Sequence, residues 1–112
     1  MLTSVPAEID QSVDTLHLSE NSISNIHKSD FNDKYPLLNW LGLNKNEITL
    51  IENGCFKGTV LEYLALSENK LTSFPDLREV KETLIKLYLY SNDIATISKE
   101  DVDYLTRVSS LS

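Results

Sequence analysis

Apolar residues recur along this chain in two interleaved rhythms, alternation over a few residues followed by steps of three, and the combination returns four times. The four segments are V-D-T-L-H-L-S-E-N-S-I from Val13, L-N-W-L-G-L-N-K-N-E-I from Leu38, L-E-Y-L-A-L-S-E-N-K-L from Leu61 and L-I-K-L-Y-L-Y-S-N-D-I from Leu84. Each fits the template L-x-x-L-x-L-x-x-N-x-L. The asparagines Asn21, Asn46, Asn69 and Asn92 stand 25, 23 and 23 residues apart. A fixed period of about 20 to 50 residues is the mark of a stacked-coil architecture.

The alternating part predicts a short strand. In L-x-L, Leu16 and Leu18, or Leu87 and Leu89, turn inward while the intervening residue faces out. Strands from successive coils then line up as a parallel sheet. One coil alone cannot bury its apolar side, so a continuous core forms only when about three or more are stacked. Beyond the template, Ile23, Ile48, Leu71 and Ile94 are each followed three residues later by Ile26, Ile51, Phe74 and Ile97. Leu2 and Val5 hold the same two places, which is why "LTSVP" at the start returns as "LTSFP" from Leu71. Phe31, Phe56 and Val102 come five residues further on, and Leu105, Val108 and Leu111 continue at steps of three.

These positions divide a single domain, 1–112, into a partial leading coil (1–12), four full repeats (13–37, 38–60, 61–83 and 84–107) and a truncated fifth (108–112). The recurring asparagine has a structural reason. The chain must bend inward where the strand ends, and a short amide can both donate to and accept from the backbone groups buried there.

The template is identified as a leucine-rich repeat, and the likeness runs from Leu2 to Leu111. It implies a solenoid, a right-handed α/β-type coil with a short parallel sheet on the concave face and a mostly irregular or 3-10 convex side. Repeats of about 24 residues with a phenylalanine where Phe31 and Phe56 stand resemble the "typical" subclass of extracellular proteins, among them Toll-like receptors, small proteoglycans and variable lymphocyte receptors. The resemblance therefore implies part of a receptor ectodomain, outside the cell or on its surface, with roles such as innate immunity.

Members of that subclass seal both ends with disulfide-bonded caps. No such cap is present in these residues, so the chain reads as a fragment, and the last coil is expected to leave Leu87, Leu89, Ile94 and Ile97 wet. Self-association through an end of the stack or an open sheet edge is the expected result, giving a homo-oligomer. A proline common in the subclass is replaced by Asp10. No asparagine has Ser or Thr two places on, and Asn53-Gly54-Cys55 is at best a variant glycan acceptor. A free cysteine and absent acceptors suit a cytoplasmic chain, and an intracellular or structural scaffold of self-assembling repeats is the alternative.

The same map assigns the concave face. Its outward columns are Thr15, Trp40, Tyr63 and Lys86, then His17, Gly42, Ala65 and Tyr88, then Ser19, Asn44, Ser67 and Tyr90, flanked by Glu20, Lys45, Glu68 and Ser91. Trp40 and Tyr63 are expected to touch across adjacent strands, and Tyr88 and Tyr90 to stand beside the small Gly42, Ala65 and Ser67. Clustered aromatics of this kind anchor protein interfaces. Trp40, Tyr63, Tyr88, Tyr90, His17, Lys86, Lys45, Glu20 and Glu68 are accordingly the candidate ligand-binding residues. Mutual cover of the sheet by its own aromatics, with no ligand, is the competing explanation.

Composition narrows the function classes. Ten basic residues scattered among seventeen acidic ones give a net charge of −7, the wrong balance for displacing counterions from nucleic acid. No apolar run has the length of a membrane span, and "MLTSVPAEID" lacks the order of a signal peptide. The sole cysteine, Cys55, reads as a small core residue with no internal disulfide partner. His17 and His27 lie on different parts of one coil, without metal-ligand spacing. No glycine-rich phosphate loop or nucleophile elbow is present, and Glu20 and Glu68 have Lys45 between them. No catalytic residue, cofactor or metal is expected, and the partner is a protein or other macromolecule.

Overall fold

A computed structural model of the protein describes all 112 residues. In chain order, β1 is Thr15–His17, β2 Asn25–Ile26, α1 Lys28–Phe31, β3 Trp40–Gly42, β4 Leu50–Ile51 and β5 Tyr63–Ala65. A 3-10 turn at Arg78–Val80, β6 at Lys86–Tyr88, α2 at Lys99–Val102 and β7 at Ser110–Leu111 complete the chain. Strands β1, β3, β5, β6 and β7 form one parallel sheet in that order. Each strand begins at the third residue of its template segment, so the register is the sequence period itself. Thr15, Trp40, Tyr63, Lys86 and Ser110 lie side by side, as do Leu16, Leu41, Leu64, Leu87 and Leu111.

Burial follows the stack. Leu41, Leu64 and Leu87 are fully buried, whereas Leu16 at one end is only partly covered and Leu111 at the other is 51% exposed. Each coil thus relies on a neighbour on both sides, as expected of a quasi-one-dimensional array. The outer layer of the core is aromatic in the first two coils, where Phe31 packs on Phe56 with ring centroids 5.7 Å apart and on Tyr35 at 6.1 Å. The third coil has no aromatic there. Leu77 and Val80 fill the space, and the Leu77 N–H donates to the Tyr104 hydroxyl at 2.9 Å, tying the third coil to the fourth.

The convex side is more regular than the sequence implied. Besides the 3-10 turn it carries the one-turn helices α1 and α2, each started by an aspartate reaching back. The His27 N–H donates to Asp30 Oδ2 at 2.7 Å and the Ser98 N–H to Asp101 Oδ2 at 2.9 Å. A second, two-stranded parallel sheet joins β2 to β4. Its register, Asn25 opposite Leu50 and Ile26 opposite Ile51, repeats the 25-residue spacing of the first two asparagine corners.

The asparagines form a ladder. Asn46 donates from Nδ2 to the carbonyls of Leu43 in its own coil (3.1 Å) and Leu18 in the previous one (3.0 Å), while its Oδ1 accepts from the Ile23 N–H at 3.0 Å. Asn69 repeats this with Leu66, Leu43 and Ile48, and Asn92 with Leu89, Leu66 and Leu71. Asn21 accepts from the Leu2 N–H at 2.9 Å, which docks the leading segment in the same way. Every asparagine therefore stitches two coils at once.

Immediately before each asparagine the backbone turns left-handed, at Glu20 (φ 60°), Lys45 (58°), Glu68 (58°) and Ser91 (57°). None of the four is glycine, and the left-handed conformation costs an L-residue roughly 1–2 kcal/mol. The strain is held by the ladder bonds on either side. The sequence template does not reveal it, because the strained position carries whatever polar residue the surface tolerates.

The expectation that Leu87 and Leu89 would be wet is overturned. Leu87 is fully buried and Leu89 is 8% exposed, because β7 adds a strand over them and the Leu89 N–H donates to the Ser112 carbonyl at 2.7 Å. Five residues suffice, since one strand covers the row beneath it. Ile94 is partly covered, and Ile97 remains 54% exposed.

Candidate binding face

The concave face is built by three of the columns read from the sequence, but the side chains do not simply stand out from them. Trp40 leans along its own strand and lies over Gly42, where an added Cβ would come within 2.9 Å of the Trp40 ring carbon Cζ3. Its neighbour Tyr63 stacks on it almost parallel, centroids 4.6 Å apart and planes at 5°. That separation is close to the roughly 4.8 Å between adjacent strands. His17 closes one side of the pair, 4.6 Å from Trp40 at 48°, and Tyr88 the other, 5.4 Å from Tyr63 at 55°. Four rings from four successive coils thus form one file along the solenoid axis. At its end the Tyr88 and Ser110 hydroxyls lie 3.3 Å apart.

Gly42, Ala65 and Ser67, placed by the sequence in the outward columns beside the tyrosines, are buried. Gly42 lies directly beneath the Trp40 ring. Gly42 is small for a reason of space and not of backbone conformation, since only the lack of a Cβ admits the Trp40 ring. The Ser67 hydroxyl is fully buried and has no hydrogen-bond partner, although the Ser67 N–H donates to Asn44 Oδ1 at 2.7 Å.

The nine candidate residues separate into two groups. His17, Trp40, Tyr63 and Tyr88 come together in the file, with Lys86 beside Tyr63 in the strand register and Tyr90 exposed next to it. Glu20, Lys45 and Glu68 are not part of that cluster. They are the left-handed residues of the turn, exposed at the rim, and no ion pair joins them. Of the other histidine, His27 lies on the convex side with Nδ1 3.9 Å from Glu52 Oε1.

Burial, helped by the neighbouring Tyr88 and Tyr90, pushes the Tyr63 phenol above its usual range. Burial, followed by Glu79 and Asp30, pushes the Cys55 thiol up to about 12. A thiol that stays protonated is neither a nucleophile nor a metal ligand at neutral pH. No group of three or more His, Cys, Asp or Glu side chains is arranged to hold a metal ion, and no helix is long and apolar enough to cross a membrane.

Comparison with known proteins agrees with this geometry. The leucine rich repeat family pattern matches residues 36–78. Asporin from Bos taurus is 38% identical over 102 residues, covering 89% of this chain and 27% of asporin. Decorin from Coturnix japonica is 33% identical over 98% of this chain and 31% of its own length, and human biglycan 36% identical over 90% and 27%. The chain therefore spans about a third or less of these relatives. A leucine-rich repeat protein of Leptospira interrogans superimposes with a TM-score of 0.72 at 29% identity, over 88% of this chain and 25% of that one. With the template, the asparagine ladder and the parallel register all in place, the chain is a member of the leucine-rich repeat family.

Proposed function

We propose that this chain is a non-enzymatic recognition module that binds a protein or other macromolecular partner on its concave face. The file His17–Trp40–Tyr63–Tyr88 forms the centre of the contact, Tyr90 and Lys86 its flanks, and Lys45, Glu20 and Glu68 an adjustable rim. One observation carries this reading. The sequence spends its sole tryptophan and three of its five tyrosines on a face that the core does not need. Rigid, half-exposed aromatics carry much of the energy of protein interfaces, with single hot spots contributing about 2 kcal/mol or more.

The relatives asporin, decorin and biglycan are small leucine-rich proteoglycans, which supports an extracellular setting over a cytoplasmic one. They draw the reading towards that class and away from the Toll-like and lymphocyte receptors that the repeat subclass also contains. A receptor ectodomain in innate immunity would use the same face, so the binding experiment is common to both.

The test is capture of extracellular proteins by the immobilised chain, compared with Trp40→Ala and Tyr88→Ala variants whose circular dichroism matches the parent. Loss of a captured partner in folded variants supports the reading. Capture unchanged in both variants overturns it.

A second reading, a scaffold that associates end to end, rests on Ile97 and Leu111. They are 54% and 51% exposed and line an open apolar hollow of about 260 Å³ with Phe74, Leu89 and Ile94. Sedimentation of a strict monomer at high concentration removes this reading without touching the first.

A further inference from the structure

We propose that Asn53–Gly54 is a self-modification site, at which the chain converts its own asparagine to isoaspartate and so releases the convex turn that covers Cys55. The site is independent of the concave face. It gives a use to the Asn53-Gly54-Cys55 segment, which as a glycan acceptor is at best a variant.

The chemistry needs a carboxamide within reach of an unencumbered backbone nitrogen on the following residue. The Gly54 nitrogen gives its proton to solvent base and attacks Asn53 Cγ. The Cγ–Nδ2 bond breaks, and the amide leaves as ammonia after taking a proton back. The product is a cyclic imide, which water opens at either carbonyl. Opening at Cγ leaves aspartate. Opening at the main-chain carbonyl leaves isoaspartate, whose backbone runs through Cβ and Cγ and is one atom longer.

Three observations single out this asparagine among the nine in the chain. The first is steric, because every other asparagine is followed by a residue with a Cβ, and Gly54 has none to shield its nitrogen. The second is the state of that nitrogen. After each ladder asparagine the next N–H is engaged by a neighbouring coil or the leading segment. Ser22, Glu47, Lys70 and Asp93 donate to the carbonyls of Leu2, Ile23, Ile48 and Leu71 at 2.8 to 2.9 Å. The Gly54 N–H donates to no protein acceptor, and Asn53 is exposed.

The third is the turn itself. Asn53 and Gly54 are its central pair, and it is closed by the Cys55 N–H donating to the Glu52 carbonyl at 3.3 Å, a long bond. Gly54 holds the left-handed place at φ 82°. An exposed turn so weakly closed opens readily, which lets the carboxamide swing onto the nitrogen. Charge does not block the step, since a Cβ on Gly54 would lie 3.5 Å from Lys28 Cε and 3.8 Å from Glu79 Oε1, groups of opposite sign.

The consequence follows from what Gly54 holds. Asn32 Nδ2 donates to the Gly54 carbonyl at 2.7 Å, tying the first coil to the second. The next residue, Cys55, is 1% exposed. A main chain lengthened just before Gly54 displaces that carbonyl, and the turn lifts from the thiol.

The experiment ages the intact chain at physiological temperature in neutral and mildly alkaline buffer, beside Asn53→Gln and Gly54→Ala. Isoaspartate is counted with an isoaspartyl methyltransferase and a labelled methyl donor, and located by peptide mass mapping. Cys55 is titrated with Ellman's reagent under native conditions. The parent is expected to accumulate isoaspartate at position 53 alone, faster in the alkaline buffer, with thiol labelling rising in parallel. Both variants are expected to react several-fold more slowly and keep the thiol closed. Asn53→Gln keeps the backbone and a carboxamide, so it tests the site even where Gly54→Ala strains the turn. The proposal is overturned by absent isoaspartate, by equal modification at another asparagine, by Asn53→Gln ageing like the parent, or by isoaspartate at position 53 with the thiol still closed.

Discussion

The indole of Trp40 and the phenol of Tyr63 stack at 4.6 Å with only 5° between their planes, on strands whose sequence positions lie 23 residues apart. The pair bears on both cover and recognition. The rings do support each other, as sheet cover requires, yet their edges remain in solvent. Stacked aromatic pairs contribute about 0.5–1.5 kcal/mol beyond area burial. Trp40→Ala is therefore expected to cost roughly 1–2 kcal/mol in urea unfolding while the repeat fold survives. Complete unfolding would instead make the file part of the core.

Gly42 sets the position of that pair. Gly42→Ala places a methyl group 2.9 Å from Trp40 Cζ3 and 3.3 Å from Ser19 Oγ, so the indole must lift from the sheet. The expected outcome is a red-shifted Trp40 emission with a stability loss of about 1–3 kcal/mol, the usual cost of overpacking. An unchanged spectrum would show that the ring does not rest on this residue.

The asparagine ladder predicts a ranking. Asn46 and Asn69 are 7% and 6% exposed, and each links buried backbone groups of two coils. Replacement by Ala is expected to cost about 1–3 kcal/mol, the penalty for stranding buried polar groups. Asn21 is partly exposed and its inter-coil bond reaches only the leading segment, so Asn21→Ala should cost less. Equal denaturation midpoints for the three variants would contradict the ladder.

The left-handed residues predict the opposite sign. Glu68 sits at φ 58° with its side chain exposed, and glycine adopts that conformation without the Cβ penalty. Glu68→Gly is expected to raise stability by up to about 1 kcal/mol, the gain being limited by glycine's larger unfolded-state entropy. Glu68→Val, β-branched at the same angle, should lower it. Thermal unfolding of both variants checks the pair.

Cys55 predicts a loss of stability in alkali. Its folded pKa lies at about 12 against 9.0 for the free thiol, so its contribution is fully present below about pH 9. Above that the unfolded chain releases the proton first, and stability is lost as pH rises towards the folded value. Cys55→Ala should flatten the decline of stability between pH 9 and 11. The buried thiol should also resist Ellman's reagent until the protein is unfolded. Rapid labelling of the native chain would place it at the surface.

Much of this molecule was legible as text because a solenoid is periodic. The template fixed which leucines turn inward, and the columns Thr15–Trp40–Tyr63–Lys86 and His17–Gly42–Ala65–Tyr88 appear unchanged as strand register. Phe31 and Phe56, two repeats of one letter, are packed together in the core. The convex sheet β2–β4 and the capped turns α1 and α2 were not legible, since they depend on backbone pairing between one pair of coils and on single aspartates.

The sequence by itself determined the stack, its period, its asparagine corners and the identity of the outward columns, because these depend only on residue type repeated at a fixed interval. Tertiary structure alone decided what the outward residues do. Trp40 leans along its strand onto Gly42, rings from two columns merge into one file, and the small residues Gly42, Ala65 and Ser67 of the outward columns are buried. Alternation gives the face of the sheet a side chain leaves from. Where its far end comes to rest is set by the space its neighbours leave, which no single repeat contains.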